Sequence, residues 1–374
     1  MFTKRSRRLA SVMAATAATA VLMSACGSPN KATVEADTSA LDAVYEQIEG
    51  LSQEKRTEKL VELAKDEGGK ISFYAGTKPE DTDPLIAGFE KKYGIKVSNY
   101  RAGGEVIAQK VLQEVQAKHD GADLYVADAS QGSVLAGLKA LAPLKAPLTK
   151  RLIPGSATDY TAALYVIAPV ISWNTELVKK PPTSIEDALK RFRGKFMIEQ
   201  EDAPWFEALV KEYFVKEKGM SEDEAIKYWE DSVRGAFVVK GHTLETTLLT
   251  SGQAEVCLGC YYHAISSSKA EGAPVDAMPI VEPVPYTFIS AGIPVTVKHP
   301  ATALLFLDFL LTDGQQMFVD QNRNPANIDY QGAFKLDEHK NIPYALNSDE
   351  ENLKKWSGIY EDVLAKAGGK PIED

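Results

Sequence analysis

Residues 257–263 read Cys-Leu-Gly-Cys-Tyr-Tyr-His, which puts two thiols, two phenols and an imidazole within seven positions. A Cys-x-x-Cys pair is a redox couple or half of a metal site. Cys26 is the only other cysteine, so no second pair completes a structural zinc site. On a strand, side chains three apart point to opposite faces, and a Cys257–Cys260 disulfide then requires a kink at Gly259. Two buried free thiols is the reading favoured here, with a soft-metal role beside the tyrosines as the alternative. None of the five histidines, His119, His242, His263, His299 and His339, sits in a zinc-protease helix motif. There is no Gly-x-Ser-x-Gly nucleophile elbow and no Gly-rich phosphate signature. The cysteine pair is the only enzymic hint, and no enzyme is expected. An extracellular thiol redox protein, resting on the cysteine pair alone, is the competing class.

The elements around these residues follow a β-α-β-α-β order. The pattern predicts a strand over 71–75 and a helix that opens at Asp83-Pro84, with Asp83 as N-cap. Leu85, Phe89 and Tyr93 form its apolar stripe and Gly94 stops it. A strand over 95–100, a helix burying Val106, Ile107, Val111, Leu112 and Val115, and a strand over 122–127 come next. This order implies a parallel sheet with right-handed crossovers, and ligands collect at the carboxyl ends of such strands. Lys78, Arg101 and Asp128 all lie just past those ends. Arg101 can present a guanidinium to a carboxylate or phosphate. Residues 163–174 and 286–296 are long, extended and apolar, as expected of segments that carry the chain from one domain to another and back. The helix over 301–311 is strongly apolar, but its length and Asp308 argue against a membrane span. A final amphipathic helix covers 353–366.

The amino terminus reads as an export signal. Lys4, Arg5, Arg7 and Arg8 precede an apolar run from Leu9 to Leu22, then Met23-Ser-Ala-Cys26. A cysteine after small residues resembles the bacterial lipobox, in which the cysteine is acylated. The expectation is therefore a signal peptide over 1–25, lipid on Cys26, a polar tether spacer over 26–40, and an extracytoplasmic protein anchored to the cell membrane. The chain carries 42 basic and 52 acidic residues, a net charge of -10. Removing a signal with four basic and no acidic residues leaves the mature chain at -14. That balance disfavours nucleic acid and anionic membrane as partners, and it allows an acidic pocket that attracts cations.

Several segments resemble the bacterial extracellular solute-binding proteins of ABC importers. Lys70–Tyr100, with Phe89-Glu-Lys-Lys-Tyr-Gly-Ile-Lys-Val97 inside it, resembles the opening of that family. Gly121-Ala-Asp-Leu-Tyr125, Trp173-Asn-Thr-Glu-Leu177, Gly194-Lys195, Ser251-Gly-Gln253, Gly272-Ala-Pro-Val275 and the run from His299 to Leu311 resemble its later stations. No single motif is specific, but their order and spacing are, and the ferric-ion-binding branch is the most similar. The resemblance implies an α/β, two-lobed periplasmic-binding-protein-like fold. Each lobe is a mixed, mostly parallel sheet flanked by helices, with two extended hinge crossings near 165–172 and 287–293. The implied organisation is lobe 1 over 41–168, lobe 2 over 169–288, a return to lobe 1 over 289–330, and a C-terminal helical segment over 331–374 that packs back on lobe 2. The implied partners are an ABC permease in the cytoplasmic membrane and a small-molecule or metal-ion ligand, with the protein acting as a monomer.

The resemblance also implies a ligand set. The ferric branch uses a tyrosine pair, a carboxylate and a histidine, and phenolate and carboxylate oxygens suit a hard cation such as Fe(III). The tyrosine pair falls on Tyr262 and His263, or one residue earlier on Tyr261 and Tyr262. Asp128 occupies the carboxylate position. Lys78 occupies the early histidine position, a departure that favours an anion. The loop that holds a partner anion in that branch here carries Glu199, Glu201 and Asp202, whose charges repel phosphate and of which Asp202 caps the following helix. These three are expected to form a solvated, capping loop. His242 falls at a polar anion contact, with Thr243 as a helix cap. Ferric iron or another hard cation is the expected cargo. A small organic anion or phosphonate-type solute held by Lys78, Arg101 and helix N-termini is the alternative. No firm cofactor is implied.

Overall fold

The computed structural model describes residues 37–332, 334–345, 349–369 and 371–373 of the 374. The expected signal over 1–25, the expected lipidation at Cys26 and the expected spacer as far as residue 36 lie outside the described residues. Among the described residues are twelve strands, in chain order β1 (Lys70–Ala75), β2 (Lys96–Arg101), β3 (Leu124–Asp128), β4 (Thr161–Ile167), β5 (Pro169–Asn174), β6 (Phe196–Glu199), β7 (Phe237–Val239), β8 (Val256–Tyr261), β9 (Val275–Asp276), β10 (Val284–Gly292), β11 (Asn324–Pro325) and β12 (Asn341–Pro343).

They form two sheets, one per lobe. The first runs β11-β4-β10-β3-β1-β2, with β12 beside the start of β10, and the second runs β7-β6-β8-β5-β9. β1 pairs in parallel with β2 and β3, and β6 with β7 and β8. The pairs made by β4, β5 and β10 with β3, β8, β9, β11 and one another are antiparallel. Parallel pairing thus holds in the half of each sheet built from β-α-β units, whose helical crossovers return the chain in the same direction. The strands that carry the chain between the lobes pair antiparallel with their neighbours, apart from the parallel β10–β12 pair, so each sheet is more evenly mixed than the sequence implies. The first crossing is β4 to β5, through the single residue Ala168. The second is β10, whose start pairs with β12 and which is paired with β4 from Thr287 onward. The chain has therefore rejoined the first sheet slightly before residue 289.

Strands β3 and β4 read as continuous apolar runs because both faces of the sheet are covered. One covering helix, Pro300–Leu310, has all eleven residues buried, which accounts for its all-round apolar sequence. Phe306 packs on Phe73 and Phe89, at ring separations of 5.1 and 4.5 Å. Asp308 is paired with Arg56 of the helix Gln53–Asp66 at 2.8 Å, both nearly fully buried. Among the described residues no helix is long and apolar enough to cross a membrane. The second lobe's core gathers Trp205, Phe206, Trp229, Trp356 and Tyr360. Trp356 and Tyr360 come from the helix Glu350–Ala365, and each buried aromatic contributes about 1.5–3 kcal/mol.

Two local expectations are corrected. The helix predicted to open at Asp83 begins at Pro79, with Lys78 in an extended conformation as N-cap. Pro79 already offers the fixed φ that a first turn needs, so Pro84 lies inside the helix. The helix does stop at Gly94, which adopts φ +71°. Cys257 and Cys260, favoured as free thiols, form a disulfide. Val170 pairs with Cys260 and Ser172 with Cys257, so β8 spends three residues where β5 spends two. This bulge at Leu258-Gly259 is the required kink, and the extra residue turns both sulfurs to one face.

Candidate functional site

The carboxyl ends of β3, β6, β7 and β8 surround one cavity of about 390 Å³ between the lobes. Asp128 ends β3 and Glu105 opens the helix Gly104–Gln116, so the first lobe supplies two carboxylates. The second lobe supplies Glu199 at the end of β6, then Glu201 and Asp202 before the helix Ala203–Ala208. His242 opens the helix His242–Thr250, and Tyr261 ends β8. Thr287 enters from the crossing strand β10. Tyr344, Tyr360 and Glu361 close the cavity from the C-terminal segment. The backbone approaches closely at Gly104, where a Cβ would meet Asp128 Oδ2 at 3.0 Å.

His242 organises the second-lobe wall. Its Nε2 lies 3.3 Å from Asp202 Oδ1, its Nδ1 lies 3.2 Å from Glu245 Oε2, and its ring stacks on Tyr261 at 3.9 Å. Burial works against its charge, but Asp202, Glu245 and Glu199 outweigh burial and hold the imidazole protonated well above its ordinary value. Glu199 accepts the Gly241 N–H at 2.9 Å and the Glu201 N–H, and its backbone carbonyl accepts the Tyr360 hydroxyl at 2.6 Å. Burial, reinforced by Asp202, pushes the Glu199 carboxyl up to about 8. Burial likewise raises Asp128 and Glu245. It holds Tyr261, Tyr344 and Tyr360 well above the ordinary phenol range, with the nearby carboxylates adding to the effect.

Six carboxylates border the cavity, and His242 is the one basic side chain among the described residues that does so. Lys240 stands at the rim, 3.5 Å from Glu201. Ligand atoms of Glu199, Asp202 and His242 lie within 4.8 Å of one another, close enough to share one cation. Asp202 Oδ2, Gln200 Oε1 and Thr287 Oγ1 are buried without a hydrogen-bond partner among the described residues. The wall therefore carries six carboxyl groups and three buried oxygens that meet no donor among the described residues.

Of the residues singled out from sequence, Asp128, Asp202, His242 and Tyr261 meet in this cavity. Asp202 is the N-cap residue of the next helix, but its side chain makes no capping bond and goes to His242 instead. Tyr262 turns away, its ring 4.4 Å from that of Phe334. His263 lies outside the cavity wall and is kept neutral by burial and by the charges of Arg323 and Lys78. Lys78 and Arg101 do not border the cavity, and Arg101 is exposed at the end of β2. Thr243 is not a cap: Gly241 holds that position and Thr243 is exposed on the first turn. Glu199, expected in a solvated loop, is buried at 3 % exposure. Thr287, Tyr344 and Tyr360 were invisible in the sequence, because no local pattern links them to the strand ends they face.

The family profile described as "Bacterial extracellular solute-binding protein" matches residues 84–341. Comparison with curated proteins finds no match. Among solved structures, the fold is similar to the periplasmic binding protein AfuA from Actinobacillus pleuropneumoniae with fructose-6-phosphate bound. The TM-score is 0.69 at 20% identity, covering 79% of this chain and 99% of that one. It is also similar to iron-bound HitA from Pseudomonas aeruginosa, with TM-score 0.66, 18% identity and coverage of 79% and 99%. The ferric binding protein from Campylobacter jejuni gives TM-score 0.61, 16% identity and coverage of 80% and 98%.

Proposed function

The chain belongs to the bacterial extracellular solute-binding protein family, and from that premise we propose that it captures a cationic solute in its interlobe cavity for delivery to an ABC permease. The observation that carries this reading is the cavity wall: six carboxylates, one imidazole and no lysine or arginine. Ferric iron or another hard cation suits the oxygen ligands of Asp128, Tyr261, Glu199 and Asp202. A bound cation would also draw protons from the buried carboxyls and phenols, which burial otherwise keeps neutral. The two iron-related proteins named above lend the metal some support. An organic anion or phosphonate-type solute would meet six carboxyl groups and a single cation, His242, while Lys78 and Arg101 stand elsewhere. A thiol redox role is disfavoured because Cys257 and Cys260 are both fully buried. In this reading the protein acts as a monomer held at the membrane by lipid on Cys26, which keeps the cargo near its permease.

The test is native mass spectrometry with elemental analysis on protein purified without refolding. A co-purifying cation is expected. A co-purifying organic acid or phosphonate overturns the reading.

A further inference from the structure

The family match ends at residue 341, yet a whole side of the cavity is built by residues beyond it, among them Tyr344, Ser357, Tyr360 and Glu361. This segment is firmly seated. Trp356 is fully buried in the second-lobe core, Asn352 bonds Glu207 at 3.0 Å, and the Ile372 carbonyl accepts the Lys240 N–H at 2.9 Å. Tyr344 is only 8 % exposed and its hydroxyl has no partner among the described residues. Glu361 is exposed at the mouth and likewise unpaired. We propose that this C-terminal wall forms a subsite in which Tyr344 and Glu361 recognise a primary alkylammonium group of the cargo.

The inference rests on the cation reading above and narrows it. A cavity of about 390 Å³ falls within the ~300–1,000 Å³ range of small organic ligand sites, whereas a bare ion fills little of it. The unmet groups of the wall, Asp202 Oδ2, Gln200 Oε1 and Thr287 Oγ1, all accept hydrogen bonds. A primary ammonium carries three donors and no acceptor, which complements them. Tyr261, Tyr344 and Tyr360 add aromatic surface, which attracts a cation and packs against an alkyl chain. The proposed metal ligands are already engaged with one another: both His242 nitrogens face carboxylates, and Glu199 holds two backbone N–H groups. An ion at that cluster must displace contacts that an ammonium in the wider cavity leaves intact.

The experiment is calorimetric titration of the full mature chain with butylammonium, with tetramethylammonium (equal charge, no N–H) and with ferric citrate. Butylammonium is expected to bind at least roughly tenfold more tightly than tetramethylammonium. Tyr344→Phe should weaken butylammonium by roughly tenfold and Glu361→Gln by about threefold, with the melting temperature confirming that each variant folds. Equal affinity for the two ammonium ions, indifference of both variants, or binding of iron alone overturns the subsite while leaving cation capture standing. Failure of every cation, with binding of an organic acid instead, overturns both.

Discussion

Raising the pH from about 6 to about 8 is expected to tighten cation binding by about fiftyfold. Burial and Asp202 push the Glu199 carboxyl up to about 8, so about one molecule in a hundred has it ionised at pH 6 and about half at pH 8. A cation binds the ionised form, and its apparent affinity scales with that fraction. The ratio corresponds to about 2.3 kcal/mol. The neighbours push the same way: Asp128 and Glu245 are raised by burial, and a cation favours loss of the proton that Asp202 and Glu245 hold on His242. Proton release, measured by calorimetry in buffers of different ionisation enthalpy, should be about one per cation or more near neutral pH. Glu199→Gln should flatten the slope. The cargo-free protein should show the converse linkage. The carboxyl's contribution to stability is full below about pH 4.5 and is lost as pH rises through about 8, so the apo form should melt lower in the alkaline half of that window. Affinity that is flat, or that strengthens as pH falls, would refute the reasoning, and the second outcome is the signature of an anion.

Arg56→Gln leaves Asp308 buried without its cation and should cost about 3–5 kcal/mol in urea denaturation, far more than an exposed pair such as Lys92–Asp313 would. Tyr261→Leu should weaken the cargo by roughly tenfold while Tyr262→Phe leaves affinity unchanged, because one ring borders the cavity and the other packs on Phe334. Equal effects of these two variants would show that the cargo sits elsewhere. Replacing Cys257 and Cys260 together with alanine should lower stability by about 2 kcal/mol, since so short a loop removes little entropy from the unfolded chain. A loss above about 4 kcal/mol would mean that the cross-link holds the bulge against strain.

What could be read from sequence was what short-range pattern controls. The apolar run ending at Ala75, the stripe of Leu85, Phe89 and Tyr93, and the αL stop at Gly94 were legible because each depends on a few neighbouring residues. The start of that helix was not, since Pro79 and Pro84 both satisfy first-turn rules and only packing chooses between them. The tyrosine register could not be fixed either. Simple alternation along β8 breaks at Leu258-Gly259, and the bulge is defined by pairing with β5, some ninety residues earlier in the chain. Glu199 looked like part of a solvated acidic loop because the Gly241 N–H that engages it lies 42 residues away. Tyr360 meets the Glu199 carbonyl across 161 residues, beyond any periodicity argument.

If the cargo is a cation, as proposed, the placement of charge would give the two lobes a role in its capture. Asp128 belongs to the first sheet and Glu199 and Asp202 to the second, so carboxyl groups from both lobes face one cavity. Burial chiefly raises the Asp128 carboxyl, and Asp202 adds to this across the cavity while His242 opposes it. Without cargo, closure must either protonate these groups or hold them charged against one another. A cation would remove that penalty only where both lobes reach it, and would on this reading bind a closed state better than an open one. That difference in affinity is what shifts a conformational equilibrium, and no separate latch is required. In the proposed reading an anion in the same place would relieve none of that repulsion, so the wall's charge would both select a cation and couple its arrival to closure.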